Sequence, residues 1–157
     1  MIIRKMHEKD YEAYKLLFDE AYGEYLESLR HGNPEQYRKE RCEMRAVSNE
    51  RFDFYLKTGS SFVAQEKGEV IGYVASQTIS YMRGLDKVLW IEYVVVKSEF
   101  KRHGIGAALL RRLAHNAKAS KIDQIFSTIN PDNEASIKLH QKVGFKITNR
   151  KVASFNI

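Results

Sequence analysis

The sequence predicts an α/β sandwich in which helices pack on both faces of a mixed, largely antiparallel sheet. Segments with strand and helix patterns follow one another in the order β-α-α-β-β-β-α-β-α-β. Consecutive strands are typical of antiparallel hairpins, and strand–helix–strand units are typical of parallel pairs. The chain has 157 residues, enough for one domain with a substantial core, and we expect a single domain over residues 1–157.

The first half of the chain predicts one strand, two helices and a hairpin. Residues 2–6 have the pattern of a short strand, and apolar residues recur at helical spacing over residues 11–29. Pro34 suits the first turn of a second helix, which we expect to run on toward Tyr55. Two further strands are predicted on either side of a turn at residues 67–68.

The second half predicts the centre of the sheet and the helices that cover it. Residues 88–96, VLWIEYVVV, are β-branched and aromatic, the profile of a central strand buried on both faces. A helix opens at Gly104, and a strand is predicted over residues 124–130. A capped helix then closes at Gly144, and residues 145–157 supply the last predicted strand.

Composition excludes several classes of protein. No apolar run approaches the roughly 18 residues of a membrane helix, and the first residues lack the apolar stretch of a signal peptide. The single cysteine, Cys42, permits neither an internal disulfide nor a cysteine-cluster zinc site. The histidines show no metal-ligand spacing. We therefore expect a cytoplasmic protein with no metal and no membrane partner.

The net charge of +6 suggests an anionic partner. Bases dominate residues 97–121, whereas acids are concentrated in residues 8–27. Nucleic-acid binding is one interpretation of the basic segment. The local character of the charge favours a small anion site instead.

A glycine loop within the basic segment identifies where that anion would bind. Gly104 and Gly106 leave backbone N–H groups open to close approach at a helix start, where the helix dipole favours negative charge. A Walker loop is excluded because no Gly-Lys-Ser/Thr follows, and a dinucleotide fingerprint is excluded because Leu109 stands where a third glycine is needed. The alternative is a helix start that merely contains glycine and surface bases. The bases are Lys101, Arg102 and His103.

With these residues the sequence resembles the GCN5-related N-acetyltransferases (GNAT). The family motif Gln/Arg-x-x-Gly-x-Gly/Ala is matched by residues 101–106, except that Lys101 takes the first position. A second motif begins with asparagine and ends in Tyr-x-x-x-Gly-Phe. It is matched by Asn133, Gly144 and Phe145, with His140 where tyrosine is common. The element order agrees over nearly the whole chain, so the resemblance implies a GNAT-like fold.

The resemblance also implies that the anion is the pyrophosphate of acetyl-coenzyme A. In the family the central strand splays after the position of Glu92, and its backbone binds the pantetheine arm. The N–H of Val94 would then polarise the acetyl carbonyl. Asn133 would either hold the arm or cap the last helix. The implied cofactor-binding residues are Val94, Val95, Val96, Lys101, Arg102, His103, Gly104, Ile105, Gly106, Ala107 and Asn133.

Two side chains are candidates for the chemistry. Glu92 is a lone carboxylate in an apolar strand and is the predicted general base for the amine, acting through a water. Its alternative is a strand residue that reaches solvent or pairs with Lys87. His140 is the predicted acid for the coenzyme A thiolate, because it occupies the family's tyrosine position. Its alternative is a helix histidine that packs or binds the cofactor without donating a proton.

The expected function is acetyl-coenzyme A dependent N-acetylation of a primary amine, by direct transfer in a ternary complex. The acceptor is a small molecule or a peptide, and the first helix offers Glu20, Glu24 and Glu27 to attract a cationic one, unless these form a solvated face. A ping-pong route through Cys42 is disfavoured because this residue is far in sequence from the cofactor motifs. A non-catalytic acetyl-coenzyme A sensor is the alternative, and a homodimer is expected from the family.

Overall fold

The computed structural model describes residues 1–43 and 49–150. Helices lie on the two sides of one sheet. The elements in chain order are β1 (Ile2–Lys5), a 3-10 turn (Glu8–Asp10), α1 (Tyr11–Gly32), α2 (Pro34–Glu43), α3 (Asn49–Thr58), β2 (Phe62–Glu66), β3 (Glu69–Met82), β4 (Leu85–Val96), a 3-10 turn (Ser98–Phe100), α4 (Ile105–Ala119), β5 (Gln124–Ser127) and α5 (Glu134–Val143).

The strands form one sheet in the order β1-β2-β3-β4-β5. The first three neighbouring pairs are antiparallel, and β4 pairs with β5 in parallel. The parallel pair needs a crossover, which α4 provides. The predicted mixed, largely antiparallel sheet is therefore confirmed.

Helices cover both faces of the sheet, as predicted. On one face α1 and α3 pack through aromatic side chains, including Tyr14, Phe18 and Phe52. On the other face α4 packs through Leu109 and Leu113, against a separate aliphatic cluster. We refer to these as the α1–α3 face and the α4 face.

The hairpins follow the turn chemistry of their sequence. Lys67 and Gly68 both have positive φ, 49° and 90°, as a two-residue hairpin turn requires. The turn predicted at residues 67–68 is confirmed. A second such turn joins β3 to β4 at Arg83 and Gly84, with φ of 57° and 77°. The strands consequently extend to the hairpin tip, to Met82 and from Leu85, a little beyond the predicted ends at residues 80 and 88.

Two predicted elements fall partly outside the described residues. The helix predicted from Pro34 toward Tyr55 is described as α2 and α3, and residues 44–48 lie outside the description. For the predicted last strand, residues 145–150 form no strand, and residues 151–157 lie outside the description. Within the described ranges, no helix combines the length and apolar character needed to cross a membrane.

Candidate functional site

The sheet opens between β4 and β5, at the position where the sequence motifs lie. Pairing between them covers only Val88–Ile91 on β4, because β5 ends at Ser127. Beyond Ile91, no described strand lies beside this edge of β4. Val88, Leu89 and Ile91 are buried, whereas the residues after Ile91 are half-buried except for Val95. The prediction of burial on both faces therefore holds only for the part of β4 that pairs with β5.

The register with β3 decides which peptide groups face this opening. The N–H of Lys97 donates to the carbonyl of Ile71 at 2.9 Å. Bonded and non-bonded pairs alternate in an antiparallel ladder, so Val95 also bonds toward β3. The peptide groups of Val94 and Val96 then face the opening. By this register the peptide group of Val95 lies within the sheet, and contact of Val95 with a cofactor stays a prediction.

The N-terminus of α4 offers unpaired backbone donors. Its first intrahelical bond runs from Ala108 N–H to the Gly104 carbonyl, at 3.0 Å, so the N–H groups before Ala108 have no partner inside the helix. No side chain caps the helix, and Gly104 holds a left-handed φ of 82°. The residues that carry these N–H groups are buried and apolar, so only their backbone can serve a ligand. These residues are Ile105, Gly106 and Ala107.

Gly106 has a packing role that the motif does not reveal. It is buried, and a Cβ atom at this position would lie 3.1 Å from the Cδ2 atom of Leu139 on α5. The glycine thus permits close contact between α4 and α5. This contact is long-range, and the loop sequence contains no signal of it.

Lys101, Arg102 and His103 are expected to add positive charge at the start of α4, but one of them is already paired with an acid. The ammonium of Lys101 forms an ion pair with Glu24 of α1. Arg102 is exposed, and the exposed His103 places its Nδ1 atom 2.9 Å from the Lys101 carbonyl oxygen. Part of the positive charge is therefore already compensated by α1.

Two acids of α1, Glu20 and Glu24, bind the loop before α4. Glu20 accepts a bond from the Ser98 N–H at 3.0 Å, and Glu24 accepts from the Ser98 hydroxyl as well as from Lys101. The bond from Lys101 is the main cause that lowers the pKa of Glu24. Glu27 pairs with Arg30 and His31 on its own helix. Glu20 and Glu24 are thus engaged by the loop, and Glu24 also lines a groove beside α1. Attraction of a cationic acceptor by these acids stays a prediction.

Glu92 lies at a β-bulge. Ala75 pairs with Tyr93 but Ser76 pairs with Ile91, so Glu92 is the unpaired extra residue of β4. Ile91 packs on the α4 face, which by alternation places Glu92 on the α1–α3 face. The carboxylate Oε1 accepts a bond from the Nε2 atom of Gln77. Among the described residues no ion pair joins Glu92 to Lys87.

Two tyrosines from the helices, Tyr14 and Tyr55, lie within electrostatic reach of Glu92. Burial raises the pKa of Tyr14 and of Tyr55, and the nearby charge of Glu92 raises both further. The Tyr14 ring lies 4.6 Å from that of Tyr73 and 6.4 Å from that of Tyr55, between centroids. The sequence does not reveal this cluster, because aromatic residues at helical spacing have the same pattern as any core.

His140 is buried in α5, with 2% of its surface exposed. Its Nδ1 atom lies 2.8 Å from the Ser136 carbonyl oxygen, which can only accept, so Nδ1 carries the proton. Its Nε2 atom is buried without a described partner. Burial lowers the pKa of His140 more than the bond to Ser136 raises it. The neutral imidazole is the favoured form.

Asn133 caps α5. Its Oδ1 atom accepts a bond from the Ser136 N–H at 3.0 Å, which confirms the capping alternative. Contact with a cofactor stays a prediction, and the side chain would have to make it through Nδ2.

A groove of about 570 Å³ lies between α1, the start of α2 and the loop before α5. Tyr25 and Ser28 line it from α1, Gln36 from α2, and Asp132 from the loop. The hydroxyl of Tyr25 accepts a bond from Asn130 Nδ2 at 3.0 Å, which links α1 to this loop. The groove can accommodate a small polar molecule beside Asn133.

Comparison with known proteins identifies the family. The model of the acetyltransferase (GNAT) family matches residues 13–145. The chain belongs to this family. A GNAT acetyltransferase binds the acetyl donor as a co-substrate, and the open edge of β4 and the uncapped α4 suit a pantetheine arm and a diphosphate.

Curated relatives of this GNAT chain act on different amines. It is 29% identical over 96 residues to aminoglycoside N(6')-acetyltransferase type 1 of Salmonella typhimurium. The matched segment is 59% of this chain and 66% of the relative. It is 32% identical over 82 residues to L-methionine sulfoximine/L-methionine sulfone acetyltransferase of Pseudomonas aeruginosa. This matched segment is 52% of the chain and 46% of the relative. The matches thus span about two thirds or less of these relatives.

Solved structures share the GNAT fold over the whole chain. Aminoglycoside N-acetyltransferase AAC(6')-Iy, in complex with CoA, has a TM-score of 0.70 at 20% identity, covering 99% of each chain. A point mutant of TTHA1254 from Thermus thermophilus has a TM-score of 0.72 at 17% identity, covering 100% of this chain and 98% of the other.

Proposed function

We propose that this protein transfers an acetyl group from acetyl-coenzyme A directly to a primary amine, with both substrates bound in a ternary complex. The observation that carries the proposal is the position of Glu92 on β4. Its carboxylate lies at the bulge, just before the Val94 peptide group that faces the opening. A base for the amine and a donor for the acetyl carbonyl therefore lie close together on one strand.

Each step uses a group of this chain. When bound, acetyl-coenzyme A supplies an activated thioester. The N–H groups of residues 105–107 would hold its diphosphate, and the peptide groups of Val94 and Val96 would hold the arm. The Val94 N–H would stabilise charge on the acetyl oxygen, an interaction of about 3 kcal/mol in comparable sites. Glu92 would accept the amine proton, directly or through a water.

His140 is the proposed acid for the leaving thiolate, provided that its ring is protonated. In the neutral ring the proton is on Nδ1 and bonds Ser136, so donation from Nε2 requires the imidazolium. Because burial lowers the pKa of His140, the protonated fraction is small at neutral pH. The acid role therefore predicts turnover that declines as pH rises.

We propose a small polar amine as the acceptor. The groove beside α1 has a volume of about 570 Å³ and walls that combine polar and apolar side chains, which suits a small molecule better than a folded protein. Two curated relatives support this class, since by name they acetylate an aminoglycoside and amino-acid derivatives. The cytoplasmic location and the homodimer stay predictions.

A thiol-release assay tests the proposal. Acetyl-coenzyme A is combined with neamine, spermidine, L-lysine or a short peptide, using the wild type and Glu92→Gln. We expect release with at least one amine, and a loss of roughly a hundredfold or more in the variant. Saturable binding of acetyl-coenzyme A without release by any amine would instead support the sensor. An unchanged rate for Glu92→Gln would remove Glu92 as the base.

A further inference from the structure

We infer that Gln77 is a positioning residue that orients the carboxylate of Glu92 for proton abstraction. The inference rests on the proposed function, in which Glu92 is the general base. Gln77 lies in the middle of β3, outside the sequence motifs.

The bulge brings the two side chains together. Gln77 is the register partner of Trp90, so Glu92 lies diagonally across the ladder. Because Glu92 is the extra residue of the bulge, it has no partner directly opposite. Among the described residues, Gln77 is the one hydrogen-bond partner of the Glu92 carboxylate. Its Nε2 atom donates to Oε1.

The pairing of Gln77 with Glu92 holds the carboxylate in place and leaves one of its oxygens free to accept a proton. An amide nitrogen donates to a carboxylate, whereas the amide oxygen would repel it, so the orientation of Gln77 is fixed. The bond occupies Oε1 and leaves Oε2 for the amine or its water. Gln77 carries no charge, so it holds the carboxylate without forming an ion pair with it.

The other groups near Glu92 come from three elements. Tyr14 on α1 and Tyr55 on α3 are within electrostatic reach, Arg51 on α3 acts on the same tyrosines, and Tyr93 follows on β4. No described hydrogen bond joins any of these tyrosines to the carboxylate. Orientation therefore depends on Gln77.

A double-mutant cycle tests the inference. The kcat and KM of Gln77→Leu, Glu92→Gln and the double variant are measured with the amine that gave the fastest thiol release in the assay above. Gln77→Leu should lower kcat about tenfold, as expected for a bond to a charged group. It should leave the KM for acetyl-coenzyme A within about twofold. It should add no loss to Glu92→Gln. The control is Gln124→Leu, an exposed strand glutamine on β5, which should behave as the wild type.

The outcomes separate the two proposals. A reduced rate in Glu92→Gln with an unchanged rate in Gln77→Leu overturns the positioning role alone. An equal further loss when Gln77→Leu is added to Glu92→Gln also overturns it, because Gln77 would then act independently. An unchanged rate in Glu92→Gln overturns the proposed base. If Gln77→Leu does not fold, Gln77→Met, which keeps the length, replaces it.

A second measurement needs no acceptor. The side-chain amide resonance of Gln77, assigned by its loss in Gln77→Leu, should shift in Glu92→Gln. It should also titrate with pH in the wild type but not in that variant. A resonance that ignores both changes would overturn the inference even if no panel amine is acetylated.

Discussion

Gly72 on β3 lies so close to Val95 on β4 that a Cβ atom at residue 72 would be 2.7 Å from the Val95 carbonyl oxygen. The contact is with backbone, which cannot rotate away as a side chain could. It therefore fixes the separation of the two strands beside the open edge. A glycine inside a strand often marks such a close approach.

Gly72→Ala should destabilise the protein by about 1–3 kcal/mol, since an overpacked site must force the strands apart. The measurement is the free energy of unfolding in denaturant. Gly23→Ala is the matched control, because a Cβ atom there meets nothing within 4 Å and the residue lies inside α1. The control should gain stability, by about 1 kcal/mol. Equal stability of Gly72→Ala and wild type would contradict the contact.

Tyr73→Phe should raise the free energy of unfolding. The Tyr73 hydroxyl is fully buried and has no described hydrogen-bond partner, so its removal relieves a desolvation penalty of about 1–3 kcal/mol. Tyr22→Phe is the comparison, because the Tyr22 hydroxyl donates to the Glu40 carbonyl at 3.1 Å. That variant should lose stability. A loss in Tyr73→Phe would show that its hydroxyl is satisfied.

His140 makes stability depend on pH. Its pKa in the folded protein is lowered from 6.5, so the unfolded chain binds the proton more tightly. The stability it contributes is complete above pH 6.5 and is lost as pH falls toward the lowered pKa. Unfolding measured at about pH 7.5 and about pH 5.5, on either side of the ordinary histidine pKa, should show a smaller decrease for His140→Phe than for the wild type. His115→Gln, an exposed site on α4, should keep the wild-type decrease.

Glu24→Gln should strengthen the binding of coenzyme A. Glu24 pairs with Lys101 and competes with any phosphate for its charge. The pair is solvent-exposed, so we expect a gain of only a few-fold, corresponding to less than about 1 kcal/mol, and a smaller gain at high salt. Calorimetry at two salt concentrations measures it, with Glu27→Gln as the control. Weaker binding in Glu24→Gln would indicate that Glu24 mainly orders the loop through Ser98.

Local patterns predict much of this fold, and long-range contacts explain what they miss. Periodicity predicts α1 and α4, and the Lys67-Gly68 turn predicts its hairpin. The tip of the β3–β4 hairpin is missed because Arg83, a residue that rarely has positive φ, adopts it there. At the site, the motif identifies the donors at the start of α4. It contains no signal of the bulge that brings Gln77 to Glu92, or of the ion pair between Lys101 and Glu24.

The backbone amides of β4 test the central claim most directly. Acetyl-coenzyme A is titrated into the labelled protein while amide resonances and hydrogen exchange are followed. The account predicts that the amides of Val94, Val96 and residues 105–107 shift and become protected, while that of Val95, already bonded to β3, changes little. Unchanged resonances at Val94 and Val96 under saturating acetyl-coenzyme A would contradict the account.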